Sequence, residues 1–316
     1  MNTTAKTLLS GVKPTGRPHI GNYFGAMKQW TDMQSQYDCF FMIADYHGLN
    51  FIQNGSEMKD QILNLMIDYL AVGLDPEKSV IFKQSDVSAH TELAWIFETI
   101  TTMPYLMRAH AFKDAEAKNK EIGVGTFNYP MLMAADILLY DADIVPVGQD
   151  QKQHIEYARD TAQKFNNTFG ETFKLPDALI MKEVAIVPGT DGQKMSKSYG
   201  NTIPLFASKQ EIVDSVMKIV TDSSGEVPEN VYEIHKLFVD ETELEKLYSE
   251  NKGKYKALKE ALIDDIEKFI QPLREKRHEL MQDIPFIMKT LEEGGEKAQE
   301  KANSKLLEAK KKIGVL

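Results

Sequence analysis

The first half of the chain alternates between short apolar runs and longer stripes of helical spacing. The runs predict four strands, at Thr7–Ser10, Cys39–Ala44, Ser79–Phe82 and Asp143–Val147. The unbroken run CFFMIA in the second of these is typical of a strand that is buried on both faces. The stripes predict helices that start near Gly21, Met58, Glu92, Ala134 and Gln151.

Strands that alternate with helices in this way predict an α/β fold, a Rossmann-like doubly wound parallel sheet with right-handed crossovers. Such sheets bind ligands at the carboxyl ends of their strands. We therefore expect Ser10–Asn22, Asp45–His47 and Gly148–Gln151 to surround one crevice, since each follows a predicted strand.

The pattern changes after about Pro188. Ser208 and Glu211 have the spacing of a capping box, and long charged helices are predicted at Lys252–Met281 and Gly295–Ile313. This predicts an α/β domain over residues 1–188, a mostly helical domain over 189–292 and a C-terminal helix over 293–316 that packs back on the first domain.

Composition narrows the class of protein. A chain of 316 residues suits two domains, and its net charge of −10 argues against a protein that coats nucleic acid non-specifically, although a local basic patch remains possible. The single cysteine, Cys39, excludes a disulfide framework, a Cys-ligated iron–sulfur cluster and a Cys-based zinc finger. No apolar run approaches the ~20 residues of a membrane span, and the N-terminus is too polar for a secretory signal. A soluble, cytoplasmic protein is expected.

Two glycine-bearing loops have residues suited to phosphate. In the first, His19 and Asn22 stand at the start of a predicted helix, whose free N–H groups attract anions. In the second, Lys194 and Lys197 lie within the pentapeptide KMSKS and suit the β and γ phosphates of a nucleotide. An ordinary turn and a solvated charged loop explain each of them equally well, so neither decides the function alone.

Together, these segments resemble the HIGH and KMSKS motifs of the class I aminoacyl-tRNA synthetases. The sequence HIGN is a variant of the first motif, and KMSKS is identical to the second. Between them, Tyr129–Tyr140 (YPMLMAADILLY) and Asp143–His154 (DIVPVGQDQKQH) resemble the tryptophanyl-tRNA synthetases of bacterial type, and the resemblance extends from about Leu8 to the last helix.

The resemblance implies a set of site residues. His19, Asn22, Lys194 and Lys197 would be catalytic, through contacts to the phosphates. ATP would contact Lys13, Pro14, Thr15, Gly16, His19, Gly21, Asn22, Gly148, Asp150, Lys194, Met195, Ser196, Lys197 and Ser198. Tryptophan would contact Leu9, Gly11, His47, Tyr129, Met133, Asp136, Val145, Val147 and Gln151. Among these, Asp136 would accept the indole N–H, a bond whose absence in an apolar pocket costs ~1–3 kcal/mol.

The implied reaction has two steps, formation of tryptophanyl-adenylate from L-tryptophan and ATP, and transfer of the tryptophanyl group to the 3′ end of tRNA(Trp). Mg²⁺ would come with ATP, held by phosphates and water, with no dedicated metal site and no prosthetic group or iron–sulfur cluster. The resemblance also implies a homodimer and a helical domain that binds the anticodon. A basic face for the tRNA is expected from Lys252, Lys254, Arg274, Arg277, Lys301, Lys305, Lys310, Lys311 and Lys312.

Some features remain open. Lys13 stands where many bacterial relatives have Gln and is a candidate for the α-phosphate or the substrate carboxylate, and Lys113 is a candidate for a mobile ATP-contacting loop. The alternatives are a tyrosyl-tRNA synthetase, a paralogue that senses tryptophan or binds RNA without catalysis, and an adenylyltransferase that acts on a small molecule.

Overall fold

A computed structural model describes residues 5–117, 121–148, 152–180, 187–221 and 227–316. Its sheet has five parallel strands, β1 (Thr7–Val12), β2 (Asp38–Ile43), β3 (Ser79–Lys83), β4 (Ile144–Val147) and β5 (Asp177–Ile180). Their order is β3-β2-β1-β4-β5. The chain therefore builds the sheet outward in one direction from β1 and then in the other, which is the doubly wound topology with its switch point between β1 and β4.

Helices surround this sheet. The first nine in chain order are α1 (Ile20–Asn22), α2 (Lys28–Met33), α3 (Asp45–Gly48), α4 (Gly55–Ala71), α5 (Ala89–Ile100), α6 (Met103–Leu106), α7 (His110–Ala117), α8 (Val124–Leu138) and α9 (Lys152–Phe169). The remaining ones are α10 (Lys209–Met217), α11 (Glu229–His235), α12 (Glu241–Glu250), α13 (Tyr255–Leu280) and α14 (Ile284–Ile313). A π-helical segment, Tyr23–Met27, joins α1 to α2. No helix in the described parts of the chain is long and apolar enough to cross a membrane.

The two faces of the sheet pack into separate apolar clusters because side chains alternate along each strand. Leu8 and Phe41 belong to a cluster that continues into α4, α10 and α13. Leu9 and Phe40 belong to the opposite cluster, which continues into α5, α8, α9 and α14. The helices after residue 188 therefore share the core of the sheet, and a small cluster around Leu244 lies apart from both.

Several predicted boundaries were wrong. The last helix begins at Ile284, well before the predicted Gly295, so a boundary at residues 292–293 lies inside α14. The helix expected from Ala134 begins at Val124 and includes Pro130. Strand β5 and the helices α6, α7, α11 and α12 were not predicted, because each is too short for its apolar residues to define a strand or helix period. The capping box of Ser208 and Glu211 at the start of α10 is confirmed.

Most residues of the predicted basic face pair with acids of the same chain, and their contact with tRNA stays a prediction. In α14, the amine of Lys301 lies 3.2 Å from Asp38, and Lys305 pairs with Asp141 at 3.0 Å. The other such pairs are Lys310 with Glu92, Arg274 with Glu267 and Arg277 with Asp68. The pair of Arg274 with Glu267 lies within α13, and the other four pairs attach α13 and α14 to neighbouring elements.

Candidate active site

Turns that follow two neighbouring strands, together with helix α8, contribute side chains to one polar network. His47 lies in α3 after β2, Gln84 lies in a 3-10 turn after β3, and both bond to Asp136 of α8. The carboxyl ends of parallel strands share one edge of a sheet, which is why residues far apart in sequence meet here. The predicted crevice therefore gains Gln84, which follows a predicted strand but was not singled out from the sequence.

Asp136 is the centre of this network. Its side chain is 3% exposed, and its oxygens receive three hydrogen bonds. Oδ1 accepts from Nε2 of Gln84 at 2.7 Å and from Nδ1 of His90 at 2.6 Å. Oδ2 accepts from Nε2 of His47 at 2.8 Å. A buried carboxylate with partners at both oxygens is a strong, oriented acceptor for a further donor.

The protonation of Asp136 follows from these contacts. Burial alone raises the pKa of the carboxyl, but the hydrogen bonds and charges of His47 and His90 outweigh it and lower the pKa to about 2. Asp136 is therefore ionised at neutral pH.

Apolar side chains lie on the same face of the sheet as Asp136. Leu9 of β1 and Val145 and Val147 of β4 are buried in one cluster, and Met133 of α8 packs against it, partly exposed. Gly11 lies so close to β2 that a Cβ at this position would be 2.7 Å from the carbonyl oxygen of Met42. The structure thus places four of the apolar residues predicted for tryptophan in the cluster into which α8, the helix of Asp136, packs.

Tyr129 joins this group from α8. Its ring centroid lies 6.4 Å from that of His47, and its hydroxyl is 3.0 Å from Nε2 of His154. Burial raises the pKa of Tyr129 to about 12, so it stays protonated and can donate. Gly148 follows β4 directly, whereas Asp150 and Gln151, the two other residues predicted for this turn, lie outside the described residues.

The two predicted phosphate loops meet. Nζ of Lys197 donates to the carbonyl oxygens of Thr15 and Gly16 at 2.7 and 2.8 Å. The segment after KMSKS also pairs with the first motif, because the N–H of Ile20 donates to Ile203 and that of Leu205 donates to Pro18. The KMSKS loop is thereby held against the start of α1.

His19 lies in the contact between these loops. Its side chain is buried, and Nδ1 has no hydrogen-bond partner among the residues that the structure describes. Burial and the charge of Lys197 lower the pKa of His19 to about 4, so the ring is neutral at physiological pH. Gly21 makes this position possible, since a Cβ there would be 2.9 Å from Nδ1.

Asn201 organises the KMSKS loop from inside. It is 2% exposed, its Oδ1 accepts from the N–H of Ser196 at 2.8 Å, and its Nδ2 donates to Asp191 at 2.7 Å. Met195 is buried beside it, while Lys194, Lys197 and Ser198 are exposed. The side chain of Ser196 accepts from the N–H of Ser198 and so caps a short 3-10 turn, Lys197–Tyr199. Asn201 was missed from the sequence, although it lies just beyond the pentapeptide.

The remaining predicted residues surround these loops. Pro14 is buried against Gly48, and the N–H of Gly16 donates to Gln61 at 3.0 Å. Asn22 uses its Oδ1 to accept from the backbone N–H of His19 at 3.1 Å, so part of its side chain serves the helix start. The amine of Lys13 lies 4.4 Å from the ring centroid of Phe51. Lys113 is exposed on α7.

His90 and Tyr140 are the other site residues that sequence reasoning missed. His90 is fully buried in α5, with Nδ1 on Asp136 and Nε2 2.8 Å from the hydroxyl of Tyr140. Neither residue follows a strand, so the topological rule could not have found them. Among the described residues, no group of three His, Cys, Asp or Glu side chains could hold a metal ion.

Comparison of the chain with known proteins identifies its family. The family model described as tRNA synthetases class I (W and Y) matches residues 1–282. A tryptophan–tRNA ligase of Fusobacterium nucleatum is 48% identical over 98% of each chain, and one of Rhodopirellula baltica is 44% identical over 98% of this chain and 99% of its own.

Solved structures agree with this. The tryptophanyl-tRNA synthetase of Campylobacter jejuni, complexed with ADP and tryptophan, has a TM-score of 0.91 at 43% identity and covers 98% of this chain and 99% of its own. A tyrosyl-tRNA synthetase of Archaeoglobus fulgidus reaches 0.67 at 20% identity, over 86% of this chain and 90% of its own, and shows only that the fold is shared. The chain therefore belongs to the class I tryptophanyl-tRNA synthetases, in their bacterial form.

Proposed function

We propose that this protein is a tryptophan–tRNA ligase that activates L-tryptophan with ATP to tryptophanyl-adenylate and transfers the tryptophanyl group to the 3′ end of tRNA(Trp). The observation that carries the proposal is the buried, ionised Asp136, which bonds to the turns at the carboxyl ends of β2 and β3, at the same edge of the sheet as the two joined phosphate loops. Indole is a donor-only heterocycle, and a buried carboxylate binds it selectively by accepting a hydrogen bond from its N–H.

In the first step, the carboxylate of tryptophan attacks the α-phosphorus of ATP and pyrophosphate leaves. No protein nucleophile is needed, so the residues contribute positioning and charge. His19 and Asn22 would face the phosphates from the start of α1, and Lys194 and Lys197 would bind the leaving pyrophosphate. Mg²⁺ would enter as the complex of ATP, held by phosphate oxygens and water.

The tryptophan site would combine residues of α8 with residues of β1 and β4. Asp136 would accept the indole N–H, while Leu9, Val145 and Val147 would contact the ring, and Tyr129 would meet the α-amino group together with Gln151. Gly148 and Asp150 would meet the ribose of ATP.

We further infer that residues 1–188 form the catalytic domain, to which the KMSKS loop contributes its lysines, and that the helices beyond this loop bind the anticodon end of tRNA. Contacts of α14 with β3 and α5 support the assignment of the last helix to the catalytic part. A homodimer and a cytoplasmic location complete the proposal, on the strength of the family.

Pyrophosphate exchange with each of the twenty amino acids, followed by charging of tRNA, tests this function. We expect exchange with tryptophan only, and charging of tRNA(Trp). Exchange with tyrosine would favour a tyrosyl enzyme, and tryptophan exchange without charging would favour the adenylyltransferase. A paralogue that only senses tryptophan would bind it without exchange.

A further inference from the structure

The two oxygens of Asp136 are in different surroundings. The partners of Oδ1, Gln84 and His90, are both fully buried, and their bonds of 2.7 and 2.6 Å leave this oxygen with no access to the crevice. The one described partner of Oδ2 is His47, at 2.8 Å, whose side chain is 11% exposed. Oδ2 is therefore the oxygen on the side of the crevice.

The ring of His90 presents a hydrogen to Asp136. An ionised carboxylate only accepts hydrogen bonds, so Nδ1 of His90 must carry a hydrogen. The hydroxyl of Tyr140 lies 2.8 Å from Nε2 and bonds to the other side of the ring. All three side chains are buried, so water cannot take the place of either partner.

The amide of Gln84 is oriented in the same manner. Its oxygen faces the backbone N–H of His47 at 3.4 Å, which leaves its NH₂ group directed at Oδ1 of Asp136. Gln84 thus connects the turn after β2 with the carboxylate on α8.

We propose that Gln84 and His90 are positioning residues that saturate Oδ1 of Asp136 and so present Oδ2 to the indole N–H, which makes them determinants of selectivity for an amino acid whose ring carries a donor. This inference rests on the proposed role of Asp136 in binding tryptophan. Without these two donors, the carboxylate would turn its oxygens toward whichever donors remain, and the geometry of the acceptor would be lost.

The test compares two substrates in pyrophosphate exchange. One is tryptophan, and the other is 3-(benzothiophen-3-yl)alanine, which has nearly the same shape but a sulfur atom in place of the N–H group. The unaltered protein should prefer tryptophan, because the analogue has no hydrogen to donate to the lone pair of Oδ2 that His47 leaves free. The preference is the ratio of kcat/KM for tryptophan to kcat/KM for the analogue. His90→Leu should raise KM for tryptophan about tenfold, leave KM for ATP unchanged and lower this preference about tenfold.

Two variants separate positioning from general stability. His90→Asn keeps an amide N–H near the position of Nδ1 and should recover most of the preference. His235→Leu is the matched control, because His235 is equally buried and its Nε2 lies 2.8 Å from Oδ2 of Asp265 in the helical part of the chain. It should lower the melting temperature, as His90→Leu does, without a change in the preference.

A preference in His90→Leu equal to that of the unaltered protein would overturn the inference. If His90→Leu does not fold, Gln84→Leu, which removes the other donor to Oδ1, decides by the same ratio. Failure of the proposed role of Asp136 looks different, since the unaltered protein and Asp136→Ala, which removes the acceptor altogether, would then have the same preference.

Discussion

At the scale of single residues, the site contains polar groups whose burial is costly unless a ligand uses them. Nδ1 of His19 is such a group, because no described residue bonds to it and a buried polar atom without a hydrogen bond costs about 1–3 kcal/mol. Lys197 differs, since its amine is satisfied by the carbonyl oxygens of Thr15 and Gly16. Nδ1 of His19 can therefore gain a hydrogen bond from a ligand, whereas the amine of Lys197 has to give up two carbonyl partners before it binds phosphate.

The burial of His19 predicts a loss of stability in mild acid. The pKa of His19 is about 4 in the folded chain, against 6.5 for the free side chain, so between these values only the unfolded chain takes up the proton. The free energy of unfolding should therefore fall as the pH falls from about 7 to about 4.5. We expect His19→Gln to reduce this fall by about 2 kcal/mol in urea titrations at several pH values. An identical fall in both proteins would contradict the assignment.

Lys197 predicts a defect in the chemical step. Lys197→Met removes the charge that would meet the departing pyrophosphate, so the rate constant for adenylate formation should fall about 100-fold, with little change in the KM for tryptophan. Single-turnover measurement of adenylate formation tests this. Lys209→Met, at the exposed first residue of α10, is the matched control and should retain the full rate.

At the scale of elements, α14 protects an edge of the sheet. Strand β3 is at one end of the strand order, and α14 packs against it. The close approach depends on Gly294, since a Cβ at this position would overlap the carbonyl oxygen of Ile81. Gly295 likewise faces Asp86 in the turn that contains Gln84.

Gly294→Ala should therefore destabilise the protein, although alanine is the better helix former. A side chain forced against backbone costs about 1–3 kcal/mol, which exceeds the ~1 kcal/mol gained in helix propensity. Chemical denaturation measures the difference. Gly55→Ala is the control, because no atom lies within 4 Å of a Cβ there, and it should not destabilise. Equal stability of the two variants would show that α14 can move away from β3 at no cost.

At the scale of the whole molecule, the distribution of charge limits how tRNA can dock. The chain carries a net charge of −10, and Lys301, Lys305, Lys310, Arg274 and Arg277 are paired internally. The tRNA must therefore bind through a local surface within an overall repulsive field.

This predicts different salt dependences for the two steps. Aminoacylation should weaken by one to three orders of magnitude in kcat/KM for tRNA between about 0.05 and about 0.2 M KCl, because binding a polyanion releases counterions. Pyrophosphate exchange with tryptophan should change by less than about twofold over the same range. Equal salt sensitivity of the two assays would contradict a docking surface for tRNA.

Much of this architecture could be predicted from local patterns. The runs that form β1 to β4 and the capping box at Ser208 are short-range signals, because burial and capping depend on neighbours in the chain. The same signals placed Asp45–His47 at the sheet edge. The ion pairs of Lys301 and Lys310 could not be predicted, since each partner lies in a different element.

The sequence by itself determined the fold class, the loops that follow β1, β2 and β4, and the residue types of both phosphate motifs. These features depend on periodicity and motif spacing, which are properties of the chain before it folds. Only the tertiary structure decided that Gln84, His90 and Tyr140 gather around Asp136 and that Asn201 holds the KMSKS loop. The physical reason is that a buried polar group takes its partners from whatever elements packing brings within 3 Å or so, and sequence distance does not constrain that choice.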